Sequence, residues 1–431
     1  MSRRLRLFIV FLTLTVVILA CALPVSPAGQ PTLEAPDPNQ VSTAIAMTLT
    51  ALAPAEGSAT APAEAAATAP VDASAVATVS APADTAVSLP HTLYYLAPDS
   101  GGVTQVFRME RDGATRHQVT SETENVSDYD VSPVDGSVAY VVNNHLVHIY
   151  SDGSNRDVLI DGGPVDSNNP FVNTMSSPVF SPDGQTLAYG YKGLRVFSLT
   201  GNTSYWLLQN QTTDAGNGLL VPKELYTPER YSPDGSKLLI TLGYYEGASS
   251  AIYDPATKAL VRLDGGEGAI ICCDDVRWAS NGSSLYAASP TVGMFNSGLW
   301  KVDAATGKVT TLIDDKAGDN NYNLADEAYL APDGQLYFFF ATASSPDGMI
   351  MRSPLQLVRS APDGVTGRTV LSKEDFQLLN EALWAPDASF VIAALAPTQE
   401  VYQGGQAEIV YLDGRPNVVL APFVQQMKWG P

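Results

Sequence analysis

Four carboxylate residues recur at one position of a repeated sequence pattern. The pattern centres on the turn Ser-Pro-Asp-Gly, which stands at residues 181–184 and again at 232–235. We call the residue directly before each such turn the pre-turn residue. Three residues before it, the successive repeats place what we call the ring positions: Asp128, Ser177, Pro228, Asp275, Glu327, Glu381 and Gln426. Carboxylates gathered in this way could bind a cationic group, or act as acid and base in glycoside cleavage.

Cations occupy a second position of the same pattern. One residue before the pre-turn residue, the repeats place what we call the waist positions: Asp130, Val179, Arg230, Arg277, Tyr329, Leu383 and Lys428. A partly acidic ring above three cations predicts recognition of a cationic or mixed-charge ligand. The candidate ligand-binding residues are Asp128, Asp275, Glu327, Glu381, Arg230, Arg277 and Lys428. The alternative is that these charges form ion pairs and hydrogen bonds between neighbouring repeats, and so satisfy groups that folding buries.

The sequence offers no coherent catalytic constellation. No G-x-S-x-G motif is present, and no histidine follows His148. The adjacent acids Asp274 and Asp275 would point to opposite faces of a strand, so they do not converge on one substrate by themselves. We therefore expect no catalytic residues. The alternative is an enzyme of the glycosidase or lyase type that uses carboxylates of the ring.

Residues 314–321 are rich in the oxygen donors that calcium prefers. Their spacing does not match an EF-hand loop, and acidic loops are common in an acidic protein. We expect no cofactor, with calcium at this segment as the alternative.

The Ser-Pro-Asp-Gly turn belongs to a repeat of about 50 residues, with weaker copies at residues 132–136, 279–282, 331–334 and 385–388. Pro presets φ, Asp hydrogen-bonds to the backbone and Gly takes a positive φ, so the turn has a structural role. Each repeat carries four short strand patterns, which in one repeat fall at residues 126–131, 138–142, 146–150 and 157–160. A period of this size predicts one supersecondary unit for each repeat.

The two ends of the repeat region complete each other. Residues 424–431 resemble the first strand of a repeat, and residues 92–96 resemble a second strand. Joining them adds a seventh unit to the six internal copies. We therefore predict an all-β fold, a seven-bladed β-propeller of four-stranded antiparallel blades closed by pairing of the N- and C-terminal strands, which would protect the sheet edges. Six blades is the alternative, if the N-terminal unit is an appendage.

The amino-acid sequence of the repeat resembles that of a known family. The segment at residues 180–189 has an apolar residue, then Ser-Pro-Asp-Gly, and then Leu-Ala-Tyr. This pattern is similar to the TolB-like or PD40-type WD40-like repeat, and the resemblance extends over residues 91–431. The pattern also resembles the propeller of the prolyl oligopeptidase and dipeptidyl peptidase group. The resemblance implies a periplasmic or surface scaffold that binds proteins or peptides. The hydrolase domain of those peptidases has no counterpart in this sequence, so no catalytic residues follow from it.

The first 21 residues have the pattern of a bacterial lipoprotein signal. Arg3, Arg4 and Arg6 precede an apolar run at residues 7–20, which is short for a membrane span. The run ends in Ile-Leu-Ala-Cys, which resembles a lipobox and predicts lipidation of Cys21. An ordinary cleaved signal peptide or an uncleaved anchor is the alternative. Each interpretation places the rest of the chain outside the cytoplasm.

Residues 22–90 differ in composition from residues 91–431. They are dominated by Ala, Pro, Thr, Ser and Val and contain no aromatic residue, Lys or Arg, which predicts a disordered tether. Residues 91–431 form the predicted propeller. Its only cysteines, Cys272 and Cys273, are adjacent, and we expect two thiols, with a vicinal disulfide as the alternative.

The formal charge of −21 argues against a nucleic-acid partner, because phosphates attract cations.

The turns at one face of the predicted propeller are tight, whereas the loops at the opposite face are long, for example at residues 161–174, 209–224, 314–323 and 341–354. Long loops on a rigid scaffold commonly carry binding, so we expect a protein or peptide ligand on this interblade-loop face. We predict a non-enzymatic monomer, held by lipid on the extracytoplasmic side of a cell membrane. A purely structural envelope assembly factor is the alternative.

Overall fold

The computed structural model describes residues 87–263, 276–293 and 296–431. Cys21, Cys272, Cys273 and Asp275 lie outside these residues, as do the predicted signal and most of the predicted tether. The regular secondary structure of the described chain is β-strand apart from one short helix, α1 (Pro170–Asn173). Within the described ranges, no helix has the length and apolar character needed to cross a membrane.

The strands of the N-terminal half are short and follow one another closely. In chain order they are β1 (Leu93–Pro98), β2 (Thr104–Met109), β3 (Arg116–Gln118), β4 (Asp128–Val131), β5 (Val138–Val142), β6 (His145–Ile149), β7 (Asp157–Asp161), β8 (Ser176–Phe180), β9 (Thr186–Gly190), β10 (Gly193–Ser198), β11 (Thr203–Gln209), β12 (Gln211–Gly216), β13 (Leu219–Tyr231), β14 (Leu238–Gly243), β15 (Ala248–Asp254) and β16 (Ala259–Arg262). The four strand patterns predicted for one repeat therefore correspond to β4 to β7.

The C-terminal half continues the same way. Its strands are β17 (Val276–Trp278), β18 (Ser284–Ser289), β19 (Gly298–Asp303), β20 (Val309–Ile313), β21 (Lys316–Gly318), β22 (Asn321–Leu330), β23 (Leu336–Ser344), β24 (Gln356–Ser360), β25 (Thr369–Asp375), β26 (Leu379–Trp384), β27 (Phe390–Leu395), β28 (Gly405–Tyr411) and β29 (Val418–Trp429). Several of the predicted loops contain strands. Residues 209–224 form a hairpin of β12 with the first part of β13, and β21 pairs with the first part of β22 within residues 314–323. In both cases the innermost strand of a four-stranded unit, β13 or β22, is long enough to pair also with the segment that precedes it in the chain.

All sheets are antiparallel, and neighbouring strands are consecutive in the chain except for β29 and β1. Three sheets have four strands (β4–β7, β8–β11 and β17–β20), and two have a fifth strand, β12 or β21, at the inner edge. The remaining sheet has seven strands in the order β26-β27-β28-β29-β1-β2-β3. All-β architecture in four-stranded antiparallel units is therefore confirmed.

Strand β29 joins the two ends of the chain. Its first half pairs with β28, with Val424 opposite Gly405, and its second half pairs with β1, with Trp429 opposite Leu93. The predicted pairing of the terminal strands is present. One long strand thus serves as the outer strand of one four-stranded unit and the inner strand of the next.

The Ser-Pro-Asp-Gly turns are fixed by their own side chains. Gly184 has φ +68°, and its N–H donates to the carbonyl of Ser181 over 2.8 Å. The Ser181 hydroxyl donates to Asp183 Oδ1 over 2.6 Å, and that carboxylate also accepts from the N–H of Gln185 at 3.0 Å. The second copy repeats this arrangement around Asp234. The motif therefore forms and stabilises a turn, as the sequence predicts.

Buried side chains form seven clusters in the described chain, and each cluster draws on two neighbouring four-stranded units. In β1, Tyr94 and Leu96 belong to one cluster, whereas Leu93 and Tyr95 belong to another. Because alternate residues of a strand face opposite sides, each unit is apolar on both faces. This explains the unbroken apolar runs in the sequence, such as the fully buried β5.

Indole groups at pre-turn residues link neighbouring units. Trp384 Nε1 donates to the carbonyl of Glu327, and Trp429 Nε1 donates to the carbonyl of Trp384, each over 2.8 Å. Trp278 holds the equivalent position in β17, but its buried Nε1 has no hydrogen-bond partner among the described residues. Two of these three indoles therefore add a hydrogen bond to their packing, and the third does not.

This difference predicts unequal costs for the same substitution. Trp384→Phe removes a buried hydrogen bond and leaves the carbonyl of Glu327 without its donor, whereas Trp278→Phe removes a donor that has no acceptor among the described residues. We expect Trp384→Phe to lower the free energy of unfolding by about 1–2 kcal/mol more than Trp278→Phe, measured by urea denaturation. Equal losses in the two variants would show that the indole hydrogen bond contributes nothing to stability.

Candidate functional site

Residues of seven strands line a cavity of about 550 Å³. They include the waist position of every repeat: Asp130, Val179, Arg230, Arg277, Tyr329, Leu383 and Lys428. Prolines of the repeated turns, Pro133, Pro182, Pro233 and Pro386, line the same cavity, so we call it the turn-side cavity. The sequence alignment of the repeats therefore selects residues that surround one space.

A second cavity, of about 340 Å³, lies toward the ring positions. Glu327, Glu381 and Gln426 line it, together with residues 402–404 from the loop between β27 and β28, and we call it the loop-side cavity. The two cavities have in common the side chains of Glu229, Arg230, Arg277, Leu383, Met427 and Lys428. Five predicted site residues thus come together, whereas Asp128 lines neither cavity and Asp275 lies outside the described residues.

The ring carboxylates bind backbone N–H groups of the neighbouring unit. Asp128 Oδ2 accepts from Ser177 at 2.9 Å, and Glu327 Oε1 accepts from Ala382 at 2.8 Å. Glu381 Oε1 accepts from the N–H of Met427 in the same way. These contacts match the alternative to ligand binding given by the sequence, in which the charged groups form hydrogen bonds between neighbouring repeats.

The backbone bends at the ring positions. Ser177, Glu327 and Gln426 have φ of 49°, 52° and 53°, in the left-handed region that non-glycine residues rarely adopt. The strand register shifts at the same places, as in a β-bulge, which redirects a side chain. A bulge in the inner strand therefore accompanies the carboxylate-to-backbone contacts between units.

The three cations differ in exposure and in partners. Arg277 contacts the Glu327 carboxylate and donates to the carbonyl of Ala382 at 2.9 Å. Lys428 Nζ donates to the carbonyl of Tyr129 at 2.7 Å and to Asp130 Oδ1 at 2.9 Å. Arg230 is the exposed member of the three. Arg277 and Lys428 thus each pair with a carboxylate of a neighbouring unit, which gives the cavities a mixed charge.

Glu381 has an unusual ionisation. Burial, and then the charge of Glu327, raise the pKa of Glu381 to about 7, against the lowering effect of the N–H groups of Met427 and Gln426 and of Arg277. Burial likewise raises the pKa of Asp128. A carboxyl group with a pKa near neutrality, at the wall of a cavity, could donate or accept a proton.

A cluster on the loop side was not singled out by the sequence. The Arg352 guanidinium donates to Asn380 Oδ1 at 2.6 Å and to the carbonyls of Gln399 and Leu379 at 3.2 and 3.3 Å. It also lies 4.8 Å from the ring centroid of Tyr402. We call Met349, Met351, Arg352 and Tyr402 the Tyr402 cluster. The loops that supply it, at residues 341–354 and 397–405, are long in the sequence, but nothing in the sequence brings them together.

Tyr402 stands where three cavities meet. It lines the loop-side cavity, a cavity with Met349 and Gln399, and another with Pro290 and Gln377. The side chain of Tyr402 is 58% exposed, and Met349 and Met351 are exposed as well.

In the described part of the chain, no group of three or more His, Cys, Asp or Glu side chains is arranged to hold a metal ion.

No protein-family model matches this chain, and no curated protein matches it. Among solved structures it is similar to TolB from Acinetobacter baumannii, with 16% identity and a TM-score of 0.40, over 79% of this chain and 82% of that one. The four-stranded antiparallel sheets of the described chain are by themselves consistent with a β-propeller. The chain is also similar to a prolyl endopeptidase (12% identity, TM-score 0.48, 80% of this chain) and to dipeptidyl peptidase 4 of Porphyromonas gingivalis (12%, 0.45, 77%). It spans half the length of each of these two peptidase chains.

The raised pKa of Glu381 predicts a pH dependence of stability. An unfolded Glu titrates near 4.3, so between that value and about 7 the folded protein holds a proton that the unfolded chain releases. The free energy of unfolding therefore falls as the pH rises through this window, by on the order of 3 kcal/mol. Glu381→Gln keeps an acceptor for Met427 and does not titrate, so it should lose this component in urea denaturation between about pH 5 and about pH 8.

The exposed Glu124→Gln serves as the matched control and should keep the wild-type pH dependence. If Glu381→Gln showed the same change in unfolding free energy with pH as the wild type, Glu381 would not be the group that titrates.

Proposed function

We propose that this protein is a non-enzymatic, seven-bladed β-propeller, tethered to a membrane on its extracytoplasmic side, that binds a protein or peptide partner through its interblade-loop face. The exposed Tyr402 cluster, at the meeting point of three cavities, is the observation that carries the binding proposal.

Two observations support seven blades. Seven strands contribute one waist residue each to a single cavity, and seven apolar clusters each join two neighbouring four-stranded units. The seven-stranded sheet counts as two units that share β29. With that division, each unit has one neighbour on either side.

The chemistry of the Tyr402 cluster supports recognition of a protein. Tyrosine and arginine dominate the binding energy of protein interfaces, and exposed methionine adapts its shape to a partner. Arg352 donates to the carbonyl of Gln399, in the loop that carries Tyr402, and to Asn380 Oδ1 in β26, so hydrogen bonds connect this loop to the sheet. Tyr245, in the loop between β14 and β15, adds another exposed aromatic side chain to the loop face.

The membrane tether rests on the sequence. The predicted lipidation of Cys21 and the tether at residues 22–90 would hold the propeller away from the lipid surface. A flexible chain of this length spans roughly 45 Å root-mean-square. The partner would then be another component of the cell envelope or a molecule at its surface.

The Tyr402 cluster predicts loss of a partner on substitution. We expect the full-length protein carrying Tyr402→Ala and Met351→Ala to recover its envelope partner at least about tenfold less efficiently in affinity capture from detergent-solubilised membranes, because these side chains are the exposed anchors. Val365→Ala, which removes an equally exposed apolar side chain in the turn between β24 and β25, is the matched control. Equal recovery of the same partner by all variants would place the binding surface elsewhere.

The pKa of Glu381 favours a second candidate function, an enzyme that uses carboxylates of the loop-side cavity. A glycan hydrolysis and lyase screen separates the two. Turnover by the wild-type protein that is lost in Glu381→Gln and in Glu327→Gln would contradict the non-enzymatic proposal.

A further inference from the structure

A third exact copy of the Ser-Pro-Asp-Gly turn lies on the loop face. It occupies residues 345–348, between β23 and β24, whereas the copies at residues 181–184 and 232–235 join the inner strand of a unit to the strand after it. The Ser345 hydroxyl donates to Asp347 Oδ1 over 2.6 Å and accepts from the N–H of Met349 at 3.0 Å. The displaced copy therefore fixes the backbone directly before Met349.

The segment after this turn is extended. Ile350 forms an isolated antiparallel β-bridge with Val292, through two backbone hydrogen bonds of 2.8 and 2.9 Å. Ile350 is buried, and alternate residues of an extended segment point to opposite sides, so Met349 and Met351 point outward together. Their side chains are 62% and 56% exposed.

Arg352 anchors the other end of the segment. Its guanidinium donates to Asn380 Oδ1 at 2.6 Å and to the carbonyl of Leu379 at 3.3 Å, both at the start of β26. A rotation of the segment that buried the two methionines would expose Ile350 and break both hydrogen bonds of the bridge. The two thioether groups are therefore held at the surface by bonds on either side of them.

The other methionines of the described residues lie in the core. Met109, Met175 and Met427 are between 0% and 5% exposed. Oxidation of a thioether follows its exposure, because the oxidant must reach the sulfur atom. Among the five methionines that the structure describes, an oxidant in solution therefore meets Met349 and Met351 first.

The chemistry needs only a two-electron oxidant such as hydrogen peroxide. The thioether sulfur attacks one oxygen of the peroxide, the O–O bond breaks, an S–O bond forms and the second oxygen leaves as water. Sulfur is oxidised and the peroxide is reduced by two electrons. The sulfoxide is polar and chiral, whereas the thioether is apolar and adapts its shape to a partner, so oxidation disrupts an interface that contains methionine.

We propose that Met349 and Met351 form a reversible oxidation site, and that their conversion to sulfoxides releases the partner from the loop face. The release rests on the proposed function of the Tyr402 cluster, to which both methionines belong. Both line the cavity of about 340 Å³ that Tyr402 also lines. A sulfoxide oxygen buried against an apolar surface of the partner loses its hydrogen bonds to water, which weakens the complex.

Site-resolved mass spectrometry of the full-length protein tests the chemistry. In hydrogen peroxide at neutral pH, Met349 and Met351 should be oxidised at least about tenfold faster than Met109, Met175 and Met427. Methionine sulfoxide reductases A and B, with dithiothreitol as the thiol reductant, should then restore both thioethers, because each enzyme reduces one sulfoxide epimer. Equal rates at exposed and buried methionines, or sulfoxides that resist both reductases, would overturn the proposal.

Recovery of the envelope partner from detergent-solubilised membranes tests the release. The measure is the recovery by peroxide-treated protein, after removal of the peroxide, divided by the recovery by untreated protein of the same variant. We expect the wild-type ratio to be about 0.1 or less, and the reductases to reverse this loss. Thermal unfolding of the treated protein checks that the fold is intact.

Two variants assign the effect to the proposed site. Met349→Leu with Met351→Leu keeps apolar side chains of similar volume without an oxidisable sulfur, so its ratio should be about 1. Met109→Leu makes the same exchange at a buried methionine of β2 and should keep the wild-type ratio. A loss on peroxide treatment that persists in the double leucine variant would place the sensitive group elsewhere and overturn the release.

The release and the proposed function fail in different ways. An unchanged wild-type ratio, beside lost recovery in the variant with Tyr402→Ala and Met351→Ala, would overturn the release and leave binding at the loop face intact. Wild-type recovery by that alanine variant would contradict the Tyr402 cluster as the binding surface, and the release with it. The mass-spectrometric rates decide on the oxidation site in either case.

Discussion

The pairing of β29 with both β28 and β1 is the constraint on which the remaining structure depends. A four-stranded unit that is apolar on both faces needs a neighbour on each side, and a line of such units would leave two apolar faces in water. The shared strand supplies the missing neighbour by backbone hydrogen bonds rather than by side-chain packing alone. Closure in turn surrounds the turn-side cavity with strands on every side, which creates an interior surface that no single unit possesses.

The same interior explains why so much charge is tolerated there. Inner strands stand close to one another, and their N–H groups at the bulges need acceptors from the adjacent unit. Carboxylates of Asp128, Glu327 and Glu381 meet that need, and cations such as Arg277 balance part of the charge. Structural and binding roles are therefore not exclusive for these residues. A group fixed by one backbone contact is held in a defined position for a second interaction.

Much of this arrangement could be predicted from the sequence, because it repeats. The turn fixes the register of each inner strand, so counting back from it selected one residue of each inner strand that lines the turn-side cavity. Pairing of residues 92–96 with residues 424–431 followed from two incomplete repeats at the ends of the chain. What does not repeat could not be predicted. The contact of Arg352 with Tyr402 joins two irregular loops, and the left-handed backbone at Ser177, Glu327 and Gln426 depends on contacts with the next unit rather than on residue type.

The shared strand also sets an order of events during synthesis. Leu93 pairs with Trp429, so the edge of β1 has no partner until the ribosome has reached residue 429. At roughly 5–20 residues per second this wait is on the order of 20 to 70 s. An unpaired strand edge is a template for wrong association. The nascent chain therefore needs protection for longer than its local hairpins take to form.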